Sequence, residues 1–309
     1  IKHLSKIFNV LDTRTDKNKH LQPGGTSNGL KYLRSFLEVR NKSYNQNISK
    51  PLESRSSCSR LSPYLSWGNL SSRYVWQQAN ESIKKGNSPF QIRSFLSRLR
   101  WNSHFIQRFE MEHSIEFGSL NRGYNDLKKK KVKKYYDSWE NGETGYPLVD
   151  ASIICLKTTG YLNFRMRSMI VSFLTHHLWQ PWQSASFFLA QNFLDFEPGI
   201  HYSQLQMQAG ETGVNTIRIY NPTKNAIEKD KEARFIKKWL PKLKEVPIPL
   251  IYEPWKMSEN EQSLFNCKIG KDYPKPIVDI SQTRKFALEK LWSIRKIKKV
   301  KEELSLIHI

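Results

Sequence analysis

The stretch CSRLSPYL, residues 58–65, places hydroxyl and guanidinium groups close together in the chain. Ser59 and Ser62 offer hydroxyl donors and Arg60 offers charged N–H donors, so the stretch can bind the oxygens of an anion such as a phosphate. The sequence SPYL is equally an ordinary helix start in which the side chain of Ser62 caps the first turn. These residues alone leave both interpretations open.

Other patterns for phosphate or metal binding do not occur. The chain has no strand–loop–helix segment with GxGxxG or GKS/T, which excludes a Rossmann or P-loop phosphate cradle. Its three cysteines, Cys58, Cys155 and Cys267, form no CxxC pair and are too few for a disulfide framework or a zinc cluster. We therefore predict no metal site, buried free thiols and a reducing compartment.

The chain carries 50 Lys and Arg against 28 Asp and Glu, a formal charge of +22. Such an excess favours a polyanionic partner, either nucleic acid or an anionic membrane surface. No apolar run reaches the roughly 18 residues of a spanning helix, and no signal segment opens the chain. We predict a soluble intracellular protein of the cytoplasm or nucleus. The lysine runs at 128–134 and 290–301 are either solvated faces or contacts to a nucleic-acid backbone.

Helix signals follow one another without intervening strands. Thr26 is the expected N-cap of a first helix, Ser71 caps a second through about Ser82, and Ser88-Pro89 opens a third. Pro147 begins and Gly160 ends a fourth. Further helices are expected at about 163–177, 183–194 and 232–240. The short segment 216–220 does not establish a sheet, so we predict an all-α fold.

The 309 residues can bury a core in one domain or two. We predict a linker remnant at 1–22, one helical domain at 23–280 and a basic helical tail at 281–309. Because the chain opens at Ile1 without a Met, we expect that an N-terminal portion of a longer product is missing.

Several segments make the chain resemble the helical FAD-binding domain of the photolyase/cryptochrome family over roughly residues 22–280. They are residues 139–195, which include TGYPLVD at 144–150, the segment LSPYLSWGNLSSR at 61–73, and RIYNP at 218–222. The resemblance implies a multi-helical FAD-binding fold, FAD as cofactor and a light-driven reaction. The α/β antenna domain that family members usually carry at their N-terminus is not seen in this chain.

The resemblance assigns the stretch at 58–65 to the flavin diphosphate. Ser59 and Ser62 would donate hydroxyl hydrogen bonds, Arg60 a charged one and Leu61 its backbone N–H. Cys58 replaces the usual Thr. Tyr44 matches a tyrosine that touches the same phosphates.

A second group of residues surrounds the isoalloxazine in the family. Arg167 and Asp195 match a pair that brackets this ring, and a fixed cation there stabilises a reduced, anionic flavin. Glu197 stands where an Asp usually faces the pyrimidine side. His201 stands beside N5, where photolyases carry Asn, and a histidine can change its charge near neutral pH.

The substrate pocket departs from the family pattern. Trp101 matches one pocket tryptophan, whereas Met207 takes the place of the second. Arg98 replaces a glutamate that reads damaged bases, and Asn102 replaces an arginine near the phosphates. Phe164, which can stack on a base or on the flavin, and Ser168 match neither the cyclobutane-dimer enzymes nor the (6-4) enzymes.

The tryptophan chain through which many members reduce their flavin is also incomplete. Only Trp182 is retained, while Leu205 and Lys129 fill the inner and outer places. Another route through aromatic residues would use Trp179, Tyr202, Tyr135 and Tyr136. From this comparison we expect Trp101, Trp182, His201 and Met207 to act in catalysis.

Three functions fit these observations. The first is repair of pyrimidine photoproducts in DNA by electron transfer from reduced FAD under blue light. The second is a cryptochrome-like photoreceptor that signals to a protein partner without repairing DNA. The third is a nucleic-acid-binding protein that keeps the scaffold without flavin. We predict the first, with DNA as partner.

Overall fold

A computed structural model describes residues 18–306. Within that range the regular secondary structure is helical, joined by turns and loops, and the one exception is an isolated β bridge between Ile269 and Tyr273. The all-α prediction is confirmed. The α-helices are α1 Thr26–Glu38, α2 Tyr44–Asn47, α3 Ser54–Ser57, α4 Ser62–Ser66, α5 Ser72–Lys84, α6 Pro89–Met111, α7 Lys133–Asn141, α8 Pro147–Thr159, α9 Phe164–Ser172, α10 Gln183–Asn192, α11 Pro198–Ala209, α12 Pro222–Lys229, α13 Arg234–Trp239, α14 Glu259–Leu264, α15 Ile280–Arg295 and α16 Lys298–Leu306. Short 3₁₀ helices occupy Arg40–Ser43, His113–Glu116, Arg122–Asp126, Pro241–Leu243, Leu250–Tyr252 and Pro254–Lys256, and a π turn at Phe173–His177 extends α9.

Local signals in the sequence account for most helix ends. The Ser71 hydroxyl accepts a hydrogen bond from the backbone N–H of Tyr74 at 3.1 Å and caps α5. Gly160 ends α8 with φ 64°, a left-handed conformation that glycine adopts without strain. One predicted cap is wrong: Thr26 is the first residue of α1, and its N-cap is Gly25.

Two hydrophobic cores organise the helices. The larger core surrounds α8 and α9, where Val149, Ile153 and Met169 have no exposed surface. The smaller core packs α1, α5 and α6 together around residues such as Phe36 and Ile92. Cys58, Leu61 and Tyr64 belong to the smaller core, whereas Arg167 lies on α9 beside the larger core, so the two parts of the predicted site come from different cores.

The contact between α6 and α11 is unusually close at Gly199. A Cβ atom on this glycine would lie 2.6 Å from the carbonyl oxygen of Phe105, inside the van der Waals limit. The absence of a side chain therefore lets α11 lie against α6, and this contact sets the position of the residues that α11 contributes to the site.

The C-terminal helices pack on the rest of the described chain. Ala287 and Leu291 of α15 are completely buried, and the hydroxyl of Thr283 hydrogen-bonds to the ring of His177 at 2.8 Å. Asn121 donates a hydrogen bond to the carbonyl of Val300 in α16 at 3.0 Å. The predicted boundary near residue 280 stays a prediction, and residues 1–17 of the predicted linker and 307–309 of the predicted tail lie outside the described residues.

The helices of residues 18–306 include none whose length and apolar character would let it span a bilayer.

Candidate functional site

A cavity of about 260 Å³ opens between α4, the start of α9, α10 and α11. Its wall combines aromatic and aliphatic side chains with a small number of charged and hydroxyl groups, as binding sites for flat organic ligands do. The lining residues are Ser62, Tyr161, Leu162, Phe164, Arg167, Ser168, Val171, Leu189, Phe193, Asp195, Phe196, Glu197, Ile200, His201, Gln204, Leu205 and Gln208.

Arg167 and Asp195 form an ion pair in the cavity wall. Nη2 of Arg167 donates to both carboxylate oxygens of Asp195, at 3.0 and 2.8 Å. Nε of Arg167 donates to the carbonyl of Leu162 at 2.8 Å, and the guanidinium lies 4.0 Å from the ring centre of Phe193. The Asp195 side chain is 5% exposed and that of Arg167 is 25% exposed. The positive charge is thus fixed in position and partly open to the cavity.

The loop that carries Asp195 is held by helix α4 and the residue after it. The hydroxyl of Ser66 donates to the carbonyl of Phe196, and the indole N–H of Trp67 donates to the carbonyl of Leu194 at 2.8 Å. Both bonds tie the carboxylate loop to the donor-rich stretch at 58–65. The two halves of the predicted site are therefore linked directly.

Arg60 is a buried arginine without a carboxylate partner in the described part of the chain. It is 8% exposed, its backbone has φ 60°, and its guanidinium lies 3.8 Å from the ring centre of Tyr161. Its Nε finds no hydrogen-bond partner among residues 18–306. Burial lowers the pKa of Arg60, and the neighbouring charge of Arg55 lowers it further. A buried, incompletely bonded cation favours an anionic ligand.

A second arginine, Arg40, is half-buried and holds the backbone of the same stretch. It donates to the carbonyl groups of Tyr32, Cys58 and Ser59. Burial lowers its pKa, and so does the charge of Arg60. No described carboxylate forms a salt bridge with Arg40. Positive charge therefore accumulates beneath residues 58–60, which suits the phosphate groups of a dinucleotide.

Two hydroxyl groups of the cavity wall are available to a ligand. Ser62 is the first residue of α4 and makes no capping hydrogen bond, because Leu61 occupies the N-cap position. The interpretation of Ser62 as a helix cap is wrong, since its side chain lines the cavity. Ser168 is 1% exposed, and its Oγ has no partner within residues 18–306. Together with Arg60, these groups fit a ligand that carries phosphates and a polar ring.

His201 is neutral in this environment. Its Nε2 lies 3.0 Å from the carbonyl oxygen of Ser186, and burial lowers its pKa to about 4. The predicted change of charge near neutral pH is therefore wrong for this side chain. The ring carries its proton on Nε2, which donates to Ser186.

The cavity brings together only part of the predicted set. Six of the predicted residues line it: Ser62, Phe164, Arg167, Asp195, Glu197 and His201. The others lie outside its wall: Tyr44, Cys58, Ser59, Arg60, Leu61, Arg98, Trp101, Asn102, Trp182 and Met207.

Tyr44 and Cys58 interact with each other although neither lines the cavity. Tyr44 is 4% exposed, and burial raises its pKa while the charge of Arg98 lowers it. Burial raises the pKa of Cys58 to about 12, so this residue is a neutral thiol. Tyr161 contributes to the raised pKa of Tyr44, whereas the charge of Arg60 lowers the pKa of Cys58.

Two predicted catalytic aromatics differ sharply in exposure. Trp101 is 48% exposed on α6, where its ring meets that of His104 at 5.6 Å. Trp182 is completely buried, and its indole N–H has no partner among the described residues. Met207 accepts a weak hydrogen bond from Gln204 at 3.7 Å.

Lys129 replaces an aromatic residue of the family pattern with a buried ion pair. Its Nζ lies 2.8 Å from Oε1 of Glu211 and donates to the carbonyl of Thr175 at 3.0 Å. The same ammonium lies 4.5 Å from the ring centre of Trp179. A nearby cation opposes the removal of an electron from an indole ring.

Four residues at or near the site were not predicted from the sequence: Tyr161, Arg40, Gln204 and Gln208. Gln204 and Gln208 follow His201 at helical spacing, so periodicity along α11 was a usable signal. Tyr161 directly follows the helix-ending Gly160 but matches no motif. No sequence signal pointed to Arg40, because its partners are backbone carbonyls and the hydroxyl of Ser35.

Comparison with known proteins agrees with this geometry. The model of the family described as the FAD binding domain of DNA photolyase matches residues 95–293. A deoxyribodipyrimidine photo-lyase from Alkalihalophilus pseudofirmus is 32% identical over 266 residues, covering 85% of this chain and 54% of that protein. A cryptochrome DASH from Gloeobacter violaceus is 30% identical over 273 residues, covering 87% and 54%.

A cryptochrome structure from Synechocystis superposes with a TM-score of 0.82 at 25% identity, covering 86% of this chain and 56% of that one. The chain thus spans about half the length of the curated relatives that it matches. Because the family model covers well over half of the chain, and the helical fold agrees with it, the chain belongs to the FAD-binding domain family of DNA photolyases and cryptochromes.

Proposed function

We propose that this protein is a flavoprotein that uses FAD and blue light to repair pyrimidine photoproducts in DNA. The observation that carries the proposal is the Arg167–Asp195 pair in the cavity wall, joined through α4 to the buried Arg60 and the half-buried Arg40. The name of the Alkalihalophilus relative supports the same activity.

The chain's own residues would bind the cofactor and set its surroundings. Bound, reduced FAD supplies an electron donor that blue light excites. Arg60 and Ser62 would hold its diphosphate, and Arg167 would keep a fixed positive charge beside the ring system. Asp195 orients that guanidinium. His201 stays neutral and keeps its proton on Nε2.

Exposed aromatic side chains support DNA as the substrate. Phe164 lines the cavity and is 57% exposed, and Trp101 is 48% exposed on α6. A base turned out of the duplex can stack on such rings. The charge of +22 attracts the phosphate backbone.

Replacement of Arg167 tests the proposal. We expect Arg167→Ala to lose bound FAD, seen as loss of flavin absorbance after reconstitution, and to lose blue-light repair of an ultraviolet-irradiated oligonucleotide. Arg165→Ala is the matched control, because Arg165 lies on the same helix, contacts Tyr220 and does not line the cavity. The proposal fails if wild-type protein with fully reduced FAD leaves the lesions intact under light.

A photoreceptor role is the second candidate, favoured by the name of the Gloeobacter relative, cryptochrome DASH. It predicts a light-dependent change of the flavin spectrum without loss of lesions. Colourless protein after reconstitution, still bound to DNA, would instead support a flavin-free nucleic-acid-binding protein.

A further inference from the structure

A second groove, of about 360 Å³, lies between α5 and α6. The residues of its wall that matter here are Ser72, Arg73, Trp76, Arg100, Ser103 and His104. None of them lines the flavin cavity. The groove has no part in the cofactor site described above.

The charge of the groove is entirely positive. No Asp or Glu belongs to its wall, whereas Arg73 and Arg100 are both exposed. Neither arginine forms a salt bridge with a carboxylate of residues 18–306. Two uncompensated guanidinium groups in a concave surface attract phosphate oxygens.

Aromatic rings accompany these charges. The guanidinium of Arg100 lies 5.0 Å from the ring centre of Trp76, and a stacked guanidinium keeps the N–H donors at its edge for other partners. His104 is partly exposed and meets the exposed ring of Trp101 at 5.6 Å. Flat rings beside arginines are the combination on which bases of a single strand stack while the phosphates are neutralised.

Helix α6 places this groove beside the predicted substrate side of the molecule. Arg100, Ser103 and His104 face the groove, while Phe105 of the same helix contacts α11 at Gly199. Trp101 lies between these two sets of residues. A strand that enters the groove therefore passes next to Trp101.

We propose that the groove between α5 and α6 binds a stretch of single-stranded nucleic acid, with Arg73 and Arg100 on two phosphates and Trp76 and His104 beside the bases. This goes beyond the proposed repair activity, because such binding requires neither flavin, nor light, nor a lesion. The two arginines distinguish this occupant from an apolar protein surface, and the flat rings of Trp76 and His104, on which bases can stack, distinguish it from an acidic protein surface.

The test compares two double variants that remove the same charge. Arg73→Gln with Arg100→Gln removes the groove charges. Lys268→Gln with Lys271→Gln removes two exposed charges from a different surface pocket, formed by residues 259–275. Binding of a fluorescent, undamaged thymidine oligonucleotide is measured in the dark by anisotropy over a series of KCl concentrations. Flavin content is measured for every sample and is expected to be unchanged.

We expect the groove variant to bind about tenfold more weakly, and its slope of log affinity against log salt to become shallower by about 1.4, because each single-strand phosphate contact contributes about 0.7. The lysine variant is expected to keep most of the wild-type slope. Equal losses in the two variants would overturn the proposal, since only the overall charge would matter.

An experiment with vesicles distinguishes binding to nucleic acid from binding to an anionic lipid surface. If the groove variant loses binding to phosphatidylserine vesicles as strongly as it loses binding to the oligonucleotide, the groove recognises any anionic surface and the proposal is also overturned. Neither outcome affects the repair proposal, which depends on flavin content and on loss of lesions under light.

Discussion

At Arg60 a buried guanidinium has no salt-bridge partner among residues 18–306, and its Nε makes no hydrogen bond there. The ring of Tyr161 compensates part of this cost through a cation–π contact at 3.8 Å. An unsatisfied buried polar group usually costs about 1–3 kcal/mol. Such a cost is consistent with a residue kept for ligand binding rather than for stability.

We therefore expect Arg60→Met to have opposite effects on stability and on binding. In flavin-free protein it should raise the free energy of unfolding by about 1 kcal/mol, because the unbonded cation is removed. It should weaken FAD binding at least about tenfold, since a charged contact to phosphate is lost. Urea unfolding and a flavin titration measure the two effects.

Arg122→Met is the control for this experiment, because the Arg122 side chain is 67% exposed and should affect neither quantity. Wild-type affinity for FAD in the Arg60→Met protein would contradict the role of this residue.

At the scale of elements, the start of α9 decides where Arg167 lies. Oδ1 of Asn163 accepts the backbone N–H of Met166 at 3.4 Å, and its Nδ2 donates to the carbonyl of Ile48 at 3.1 Å. The first bond caps the helix and the second ties it to the segment after α2. One side chain thus connects the helix that carries Arg167 to the smaller core.

We expect Asn163→Ala to lower the free energy of unfolding by about 2 kcal/mol, because it removes both the cap and the bond to Ile48. Asn163→Ser keeps a capping hydroxyl but cannot reach Ile48, so it should lose about half as much. Urea unfolding of the flavin-free proteins measures both changes. If the Ser variant is as unstable as the Ala variant, the cap contributes nothing.

At the scale of the whole molecule, stability depends on histidines that are buried without charge. Burial lowers the pKa of His176 to about 3 and that of His201 to about 4, and it also lowers the pKa of His177. As the pH falls below about 6.5, the unfolded chain takes up protons at these positions and the folded chain does not. Each histidine then reduces stability.

Asp150 has the opposite effect on the free energy of unfolding as the pH falls. Burial raises its pKa to about 6, although Tyr273 and the backbone of Thr144 and Gly145 donate hydrogen bonds to it. The folded state therefore takes up a proton at Asp150 before the unfolded state does, which adds stability as the pH falls below about 6.

Burial also raises the pKa of Asp230, so three histidines oppose two aspartates. We therefore expect the free energy of unfolding to decrease from about pH 7 to about pH 5, with each histidine contributing about 1.4 kcal/mol per pH unit below its unfolded pKa. Urea unfolding at several pH values measures this slope. His176→Gln removes the uptake of about one proton by the unfolded chain, so it should reduce the slope of free energy against pH by about 1.4 kcal/mol per pH unit. A stability that stays constant or rises toward pH 5 would show that these rings are protonated in the folded protein.

The sequence by itself determined the helical class, most helix ends and the family. Ser71, Pro147 and Gly160 act on the backbone within one helical turn, so their effects can be read from neighbouring residues. The family motifs also identified Arg167 and Asp195 as a pair. Short-range backbone preferences and shared motifs need no knowledge of the packing.

Only the tertiary structure decided which groups meet and which are buried. It brought Arg167 to Asp195 across 28 residues and Lys129 to Glu211 across 82, turned Ser62 into the cavity and left Arg60 without a salt bridge in the described chain. It also buried His201, which lowers the pKa of this ring and keeps it uncharged at neutral pH. Burial and long-range partners depend on how helices from two cores pack together, and no local pattern records that arrangement.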